Sequence, residues 1–122
     1  MHVDVRKADD VIIVDLDGQL VSGIGDELLR DVMNELLAEG WSKILINLSQ
    51  VERIDSAGIG ELVAGSRLAT RFGTSVRLLQ VTGRVRQVLE LGQVLPLFHV
   101  YDNEEEALAA FADDAAAAAS GE

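Results

Sequence analysis

The sequence predicts an α/β fold, a single domain with a mixed, mostly parallel sheet of about five strands and four helices. Three observations predict it. Runs of β-branched and aliphatic residues alternate with segments whose apolar residues recur at helical spacing. The run Lys43-Ile44-Leu45-Ile46-Asn47-Leu48 is almost continuously apolar, as expected of a central strand covered on both faces. The first two strand-like runs are joined by a short link, which suits an antiparallel hairpin, while the later runs are separated by helical crossovers, which imply parallel pairing.

Val3 and Val5 alternate with His2, Asp4 and Arg6, the pattern of a half-buried first strand. Residues 7–10 form a turn, and residues 11–16 a second strand that ends by Gly18. From 22 to 39 the period becomes helical. Leu28, Val32 and Leu36 make one row and Leu29, Met33 and Leu37 its neighbour, with Asp26 and Glu27 at the anion-favouring end and Gly40 as C-cap. The central strand over 43–48 follows. Residues 56–72 are helical, with Ile59, Leu62, Val63 and Leu68 as core contacts and Gly73 as cap. A strand over 76–81 leads to a short helix capped by Thr82, with Val85, Val88 and Leu89 inward and Gly92 at its end. Residues 98–101 make a last strand. Asn103 caps a last helix with Glu104 to Glu106 in its first turn and Leu108 and Phe111 as anchors. The alanine run 115–119 either extends this helix or frays.

The chain of 122 residues is long enough to bury a core, and its aliphatic composition suits one built from Val, Ile, Leu and Ala. Ten basic against 21 acidic residues give a net charge of −11. That argues against direct nucleic-acid binding, which rests on neutralising phosphates, and against an anionic membrane surface. No Cys is present, so disulfides, thiolate metal sites and Cys nucleophiles are excluded. No apolar run approaches the ~20 residues that span a bilayer, and the N-terminus does not read as a signal peptide, so a cytoplasmic protein is expected. No carboxylate cluster has convincing metal-ligand spacing, and no cofactor fingerprint is visible; neither metal nor cofactor is expected. The charge is uneven: residues 102–122 carry seven acidic side chains and no basic one. This divides the chain into a folded domain over 1–112 and an acidic, Ala-rich tail over 113–122. The piece beyond Phe111 has no large apolar anchor and is expected to be dispensable for folding.

The unusual stretch is Ile54-Asp55-Ser56-Ala57-Gly58-Ile59-Gly60-Glu61-Leu62, which opens the second long helix. Ser56 is placed as its N-cap. Gly58, Gly60 and Gly65 lie in this one helix, each costing about 1 kcal/mol relative to Ala, and close backbone approach is the usual reason for such a cost. Two readings follow from the residues. In the first, Ser56 is an ordinary cap, Asp55 binds nearby amides, and the glycines let the helix pack on the sheet. In the second, Ser56 is a switch, because a phosphate there would bring about −1.5 to −2 charge to the positive end of a helix.

Asp55-Ser56-Ala57-Gly58-Ile59-Gly60 resembles the Asp-Ser-[Ser/Ala]-Gly-[Leu/Ile]-Gly hallmark of STAS domains, specifically the anti-sigma factor antagonists of bacterial partner switching. Asp17-Gly18-Gln19-Leu20 resembles the family's strand ending in Gly-Glu-Leu. The segments 83–92 and 105–108 resemble its short third helix and the start of its last helix. The resemblance covers about residues 3–111, nearly the whole chain. It implies a phosphorylation-switched binding module without catalysis. Unphosphorylated, it would sequester a serine-kinase anti-sigma factor and free a sigma factor. Phosphorylated at Ser56 it would let go, and a serine phosphatase would reset it. It also implies a partner surface at Asp55, Ala57, Gly58, Ile59 and Gly60, extended by Gln19 and Val21. The family often has acidic residues at those last two positions; if they help dock the kinase, the resemblance implies altered recognition here. Gly23 and Gly25 are expected to loosen the start of the first helix.

Two alternatives compete. A non-switching STAS scaffold or transport-accessory subunit would use Ser56 only as a cap. A serine hydrolase would need a base within reach of Ser56; His99 or His2 would have to converge on it, and the flanks do not fit a Gly-x-Ser-x-Gly elbow. Arg67, Arg71 and Arg77 read as solvated face residues, although Arg67 and Arg71 share an i, i+4 row that could meet an acidic partner. Trp41 reads as a lid on the first helix.

Overall fold

The structure is a computed structural model that describes the backbone of residues 1–120 and the side chains of residues 1–115. Its elements are β1 (His2–Ala8), β2 (Val11–Leu20), α1 (Gly25–Ala38), β3 (Lys43–Ile54), α2 (Ser56–Arg71), β4 (Ser75–Leu79), α3 (Gly83–Leu91), a 3-10 turn (Leu95–Leu97), β5 (Val100–Tyr101) and α4 (Glu104–Ser120). The predicted α/β architecture, with five strands and four helices, is the one observed. The sheet order is β1-β2-β3-β4-β5, antiparallel between β1 and β2 and parallel thereafter.

Strand order equal to chain order decides where the helices go. Parallel crossovers are right-handed, so stepping always in one direction across the sheet puts every crossover helix on the same face. The main core is accordingly built from one side of the strands, Ile12, Val14, Ile44, Ile46 and Leu78, against Leu29 and Met33 of α1, Leu62 of α2 and Leu89 of α3. Among the described residues, α4 alone covers the other face, where Val11, Ile13, Leu45 and Leu79 meet Ala107 and Phe111. This alternation explains why residues 11–14 and 44–46 are buried without interruption.

Several expectations need correcting. β2 continues through Gly18 to Leu20, because a bulge there, with Gly18 at φ +118°, lets the strand bend rather than stop. β3 runs on to Ile54, so the segment after Leu48 is strand. α1 begins at Gly25, after a turn over 22–24, and that glycine tightens the helix start. A Cβ on it would lie 2.3 Å from the Gln19 carbonyl oxygen. Val5 is largely exposed, and β5 contains only two residues.

Arg77 departs furthest from its solvated reading. It is 6 % exposed on the α4 face, its guanidinium 4.4 Å from the Phe111 ring centroid. It donates to Tyr101 Oη at 2.8 Å and Ser75 Oγ at 3.2 Å, and pairs with Asp114. α4 continues through the 112/113 boundary to Ser120, so the alanine run extends the helix. Asp114 thus ties the segment after Phe111 to the sheet. Trp41 packs against the main core with Lys7 Nζ 5.8 Å from its ring centroid.

Candidate functional site

The parallel strands β2 and β3 end together, with Gln19 opposite Arg53 and Leu20 opposite Ile54. The chain leaves β3 through Asp55 and enters α2 at once. Asp55 has extended backbone (φ −117°, ψ −174°) and its side chain accepts from the Gly58 amide at 3.0 Å, which makes Asp55 the N-cap. Ser56, predicted as the cap, is instead the first residue of the helix, and its side chain is exposed. Asp and Ser are comparable caps, and the end of β3 decides between them. Pairing of Ile54 with Leu20 leaves Asp55 as the first residue free to turn.

The second oxygen of Asp55 accepts from the Ser22 amide at 2.9 Å, and the Asp55 amide approaches the Leu20 carbonyl at 3.4 Å. One side chain therefore fastens the loop after β2 to the start of α2. The amide hydrogens of Ser22 and then Gly58 hold the Asp55 carboxyl below the usual carboxylate range.

These contacts bring the predicted site residues to one end of the sheet. Gln19 is exposed and Val21 half-buried in the β2–α1 segment, beside Asp55. Ala57 and Ile59 are half-buried, with Ile59 packed on the main core. The glycines divide. Gly58 is buried, and a Cβ on it would lie 2.1 Å from the Leu20 carbonyl oxygen and 2.9 Å from Leu20 Cγ and Ile54 Cγ1. Gly60 is exposed and a Cβ on it would meet nothing within 4 Å, while at Gly65 the contact with Met33 would be ordinary. Internal packing therefore accounts for Gly58 and leaves Gly60 without a reason inside the chain.

Ser56 opens a shallow groove of about 660 Å³ that follows α2 past Gly60 and Val63 to Arg67 and Arg71. The sequence reading did not place the two arginines in the site. Their i, i+4 row, continued back through Gly60 to Ser56, is the signal that could have done so. His99 does not join the site. It precedes β5, which pairs with Leu78 and Leu79, level with Ile46 and Asn47 on β3. Ser56 follows Ile54, further along β3 by roughly 20 Å at ~3.3 Å per residue. His2 pairs with Asp17 and contacts the Asp4 carboxylate at 3.2 Å. The base that the hydrolase reading needs is not supplied by His99.

Among the described residues, no group of three or more His, Asp or Glu could hold a metal ion, and no helix is long and apolar enough to cross a membrane.

The family profile described as the STAS domain matches residues 2–107. The chain belongs to the STAS domain family. Among curated relatives, the anti-sigma F factor antagonist of Paenibacillus polymyxa is 22 % identical over 108 residues, 88 % of this chain and 92 % of that one. The crystal structure of a candidate anti-sigma factor antagonist from Thermotoga maritima superposes with a TM-score of 0.79 at 29 % identity, covering 87 % of this chain and 91 % of that one. The anti-sigma factor antagonist SpoIIAA in its unphosphorylated form shares the fold at a TM-score of 0.69 and 18 % identity, covering 92 % and 98 %. The relatives and structures named above are anti-sigma factor antagonists, and the fold is also shared with a part of the murine anion transporter Slc26a9, at a TM-score of 0.72 and 21 % identity over 84 % of this chain and 18 % of that one.

Proposed function

We propose that this STAS domain is an anti-sigma factor antagonist whose grip on a serine-kinase anti-sigma factor is switched by phosphorylation of Ser56. It acts by binding and carries out no catalysis of its own. Unphosphorylated, it sequesters the kinase and releases a sigma factor; a serine phosphatase restores the phosphorylated form to binding. Its partners are cytoplasmic proteins, with no direct role for nucleic acid or membrane.

The observation that carries this reading is the division between Asp55 and Ser56. Asp55 supplies the cap, so the exposed Ser56 hydroxyl has no structural duty in the helix and can be modified without removing one. The names of the relatives support the antagonist part of this reading. Beside Ser56 the surface has almost no bulk, with Ala57 and the open Gly60, so a partner can approach the backbone closely. A phosphate of about −2 charge tolerates the helix N-terminus but not a dry interface, where an unpaired charge is strongly unfavourable.

The test is titration calorimetry with the purified kinase-type anti-sigma factor of the source organism. Phosphorylation of Ser56 weakens binding at least tenfold, about 1.4 kcal/mol. Ser56→Ala still binds but is not released when ATP is supplied. Equal affinities for the two forms, both folded by circular dichroism, refute the switch and leave a STAS scaffold.

A further inference from the structure

The chain carries ten Lys and Arg residues in a net charge of −11. Five of them, Arg6, Arg30, Lys43, Arg77 and Arg86, form ion pairs within the chain, and Lys7 lies over Trp41. Arg53, Arg67, Arg71 and Arg84 do neither among the described residues, and of these four Arg67 and Arg71 are neighbours on one helix. They lie one turn apart on the exposed side of α2, where two like charges at i, i+4 repel each other.

Among the described residues, no carboxylate lines the depressions around them. The groove from Ser56 to Arg71 is lined by no acidic residue. A second, smaller depression continues it across Val63, Ser66, Arg67 and Thr70 to Leu97 and Phe98, again without one. Leu97, in the 3-10 turn after α3, is 59 % exposed, although Leu95 of the same turn packs against the core. An acidic protein thus keeps one continuous strip with two unneutralised cations and an apolar rim, and the strip starts at Ser56. Arg67 lies 11 residues from Ser56, roughly 16 Å along the helix axis, so a phosphate on Ser56 would not neutralise it.

We infer that this strip is a docking surface for an acidic segment of the anti-sigma factor, with carboxylates against Arg67 and Arg71 and an apolar side chain against Val63 and Leu97. This rests on the reading of the protein as an antagonist and names the chemistry of its partner's contact. Charge complementarity selects the occupant. A second copy of this acidic chain would bring its own carboxylates only at the expense of like-charge repulsion elsewhere.

The experiment measures binding of the purified kinase-type anti-sigma factor by calorimetry at 50 and 300 mM salt. The chains compared are the wild type, the double variant Arg67→Glu/Arg71→Glu, and Leu97→Ser. All three positions are exposed or on a surface turn, and circular dichroism checks that each variant folds. Charge reversal lowers affinity at least tenfold at low salt and removes most of the wild type's salt dependence; Leu97→Ser lowers affinity about threefold at both salts. Full affinity and full salt dependence in the double variant overturn the proposal. So does a wild-type dimer in sedimentation equilibrium that the double variant dissociates, since the strip would then belong to a second copy. Ser56→Asp is measured alongside. If it weakens binding while the double variant does not, the switch stands and the docking strip falls; the opposite result removes the switch and keeps the strip.

Discussion

Alanine at Gly58 and alanine at Gly60 should change stability in opposite directions, although the two positions lie two residues apart in the same helix. Replacing glycine by alanine in a helix gains up to ~1 kcal/mol of intrinsic propensity. At Gly60 nothing opposes that gain, because a Cβ there meets no atom within 4 Å. At Gly58 the new Cβ would lie 2.1 Å from the Leu20 carbonyl oxygen, well inside the 3.0 Å that real contacts respect. The obstacle is backbone, not a side-chain tip. That carbonyl belongs to the β2–β3 register and faces the Asp55 amide. Relief therefore moves α2 away from the sheet or breaks the end of β2. Overpacking of this kind costs ~1–3 kcal/mol, and a displaced backbone lies at the upper end. The net loss at Gly58 is about 1–2 kcal/mol, and the net gain at Gly60 about 0.5–1 kcal/mol. For a chain of 122 residues, unfolding entropy near ~2.1 cal/mol/K per residue converts 1 kcal/mol into roughly 4 °C. Gly58→Ala should melt about 4–8 °C below wild type and Gly60→Ala about 2–4 °C above it. Thermal melts followed at 222 nm measure both. A Gly58→Ala chain as stable as wild type would show that α2 does not need close approach. A destabilised Gly60→Ala chain would mean that the helix turn has an internal constraint absent from its geometry.

Three further outcomes follow from the same structure. Ser56→Ala should leave the melting temperature within about 1 °C of wild type, because Asp55 is the cap; a fall near the ~4 °C expected for a lost cap would return that role to Ser56. A chain ending at Asp113 loses the Asp114 partner of the buried Arg77. The carboxylate is mostly exposed, so the loss is discounted to about 1 kcal/mol, roughly 4 °C, and a chain ending at Ala115 should not show it. Coincident melts of the full chain and the chain ending at Asp113 would make the tail dispensable, as its composition suggests. Asp55 has a folded-state pKa below its ordinary value, so its contribution is complete above the unfolded pKa near ~3.9 and is lost as pH falls through the folded one. Asp55→Asn should therefore flatten the acid limb of the stability profile below about pH 4, and an unchanged limb would contradict the two amide bonds assigned to that carboxylate.

Element order, strand pairing and the helix faces were legible because burial writes them locally. The rows of α1, the unbroken apolar run of β3 and the glycines after α1 and α2 each report their own neighbourhood. Gly40 and Gly73 do adopt the left-handed conformation that ends a helix, at φ +87° and +73°. What escaped depends on pairing between distant segments. Residues 49–54 look like a connector because Gln50, Glu52 and Arg53 are exposed; they become strand through the backbone of β2. Arg77 sits between Val76 and Leu78 with the alternation of a strand, but its burial depends on α4 arriving 37 residues later with Phe111 and Asp114. At the site, the hallmark segment was visible as composition and spacing. The division of labour inside it was not, since Asp55 and Ser56 are equally good caps until the end of β3 is known.

That division sets the physical terms of any switch at this position. If Ser56 capped α2, a phosphate would take over or disrupt the bond that starts the helix, and modification would change fold and affinity together. With the cap on Asp55, the hydroxyl stands one residue inside the helix, while the carboxylate binds the amides of Gly58 and Ser22. The negative charge already at this helix end matters too. Asp55 satisfies part of the N-terminal donor set, so an added dianion finds fewer free amides and stays more dependent on water. It is tolerated in the free protein, where water is available, and opposed under a partner pressed against Ala57 and Gly60, where it is not. The open space at Gly60 and the tight space at Gly58 thus differ in consequence, the first leaving the outer face bare and the second holding the inner face to the sheet.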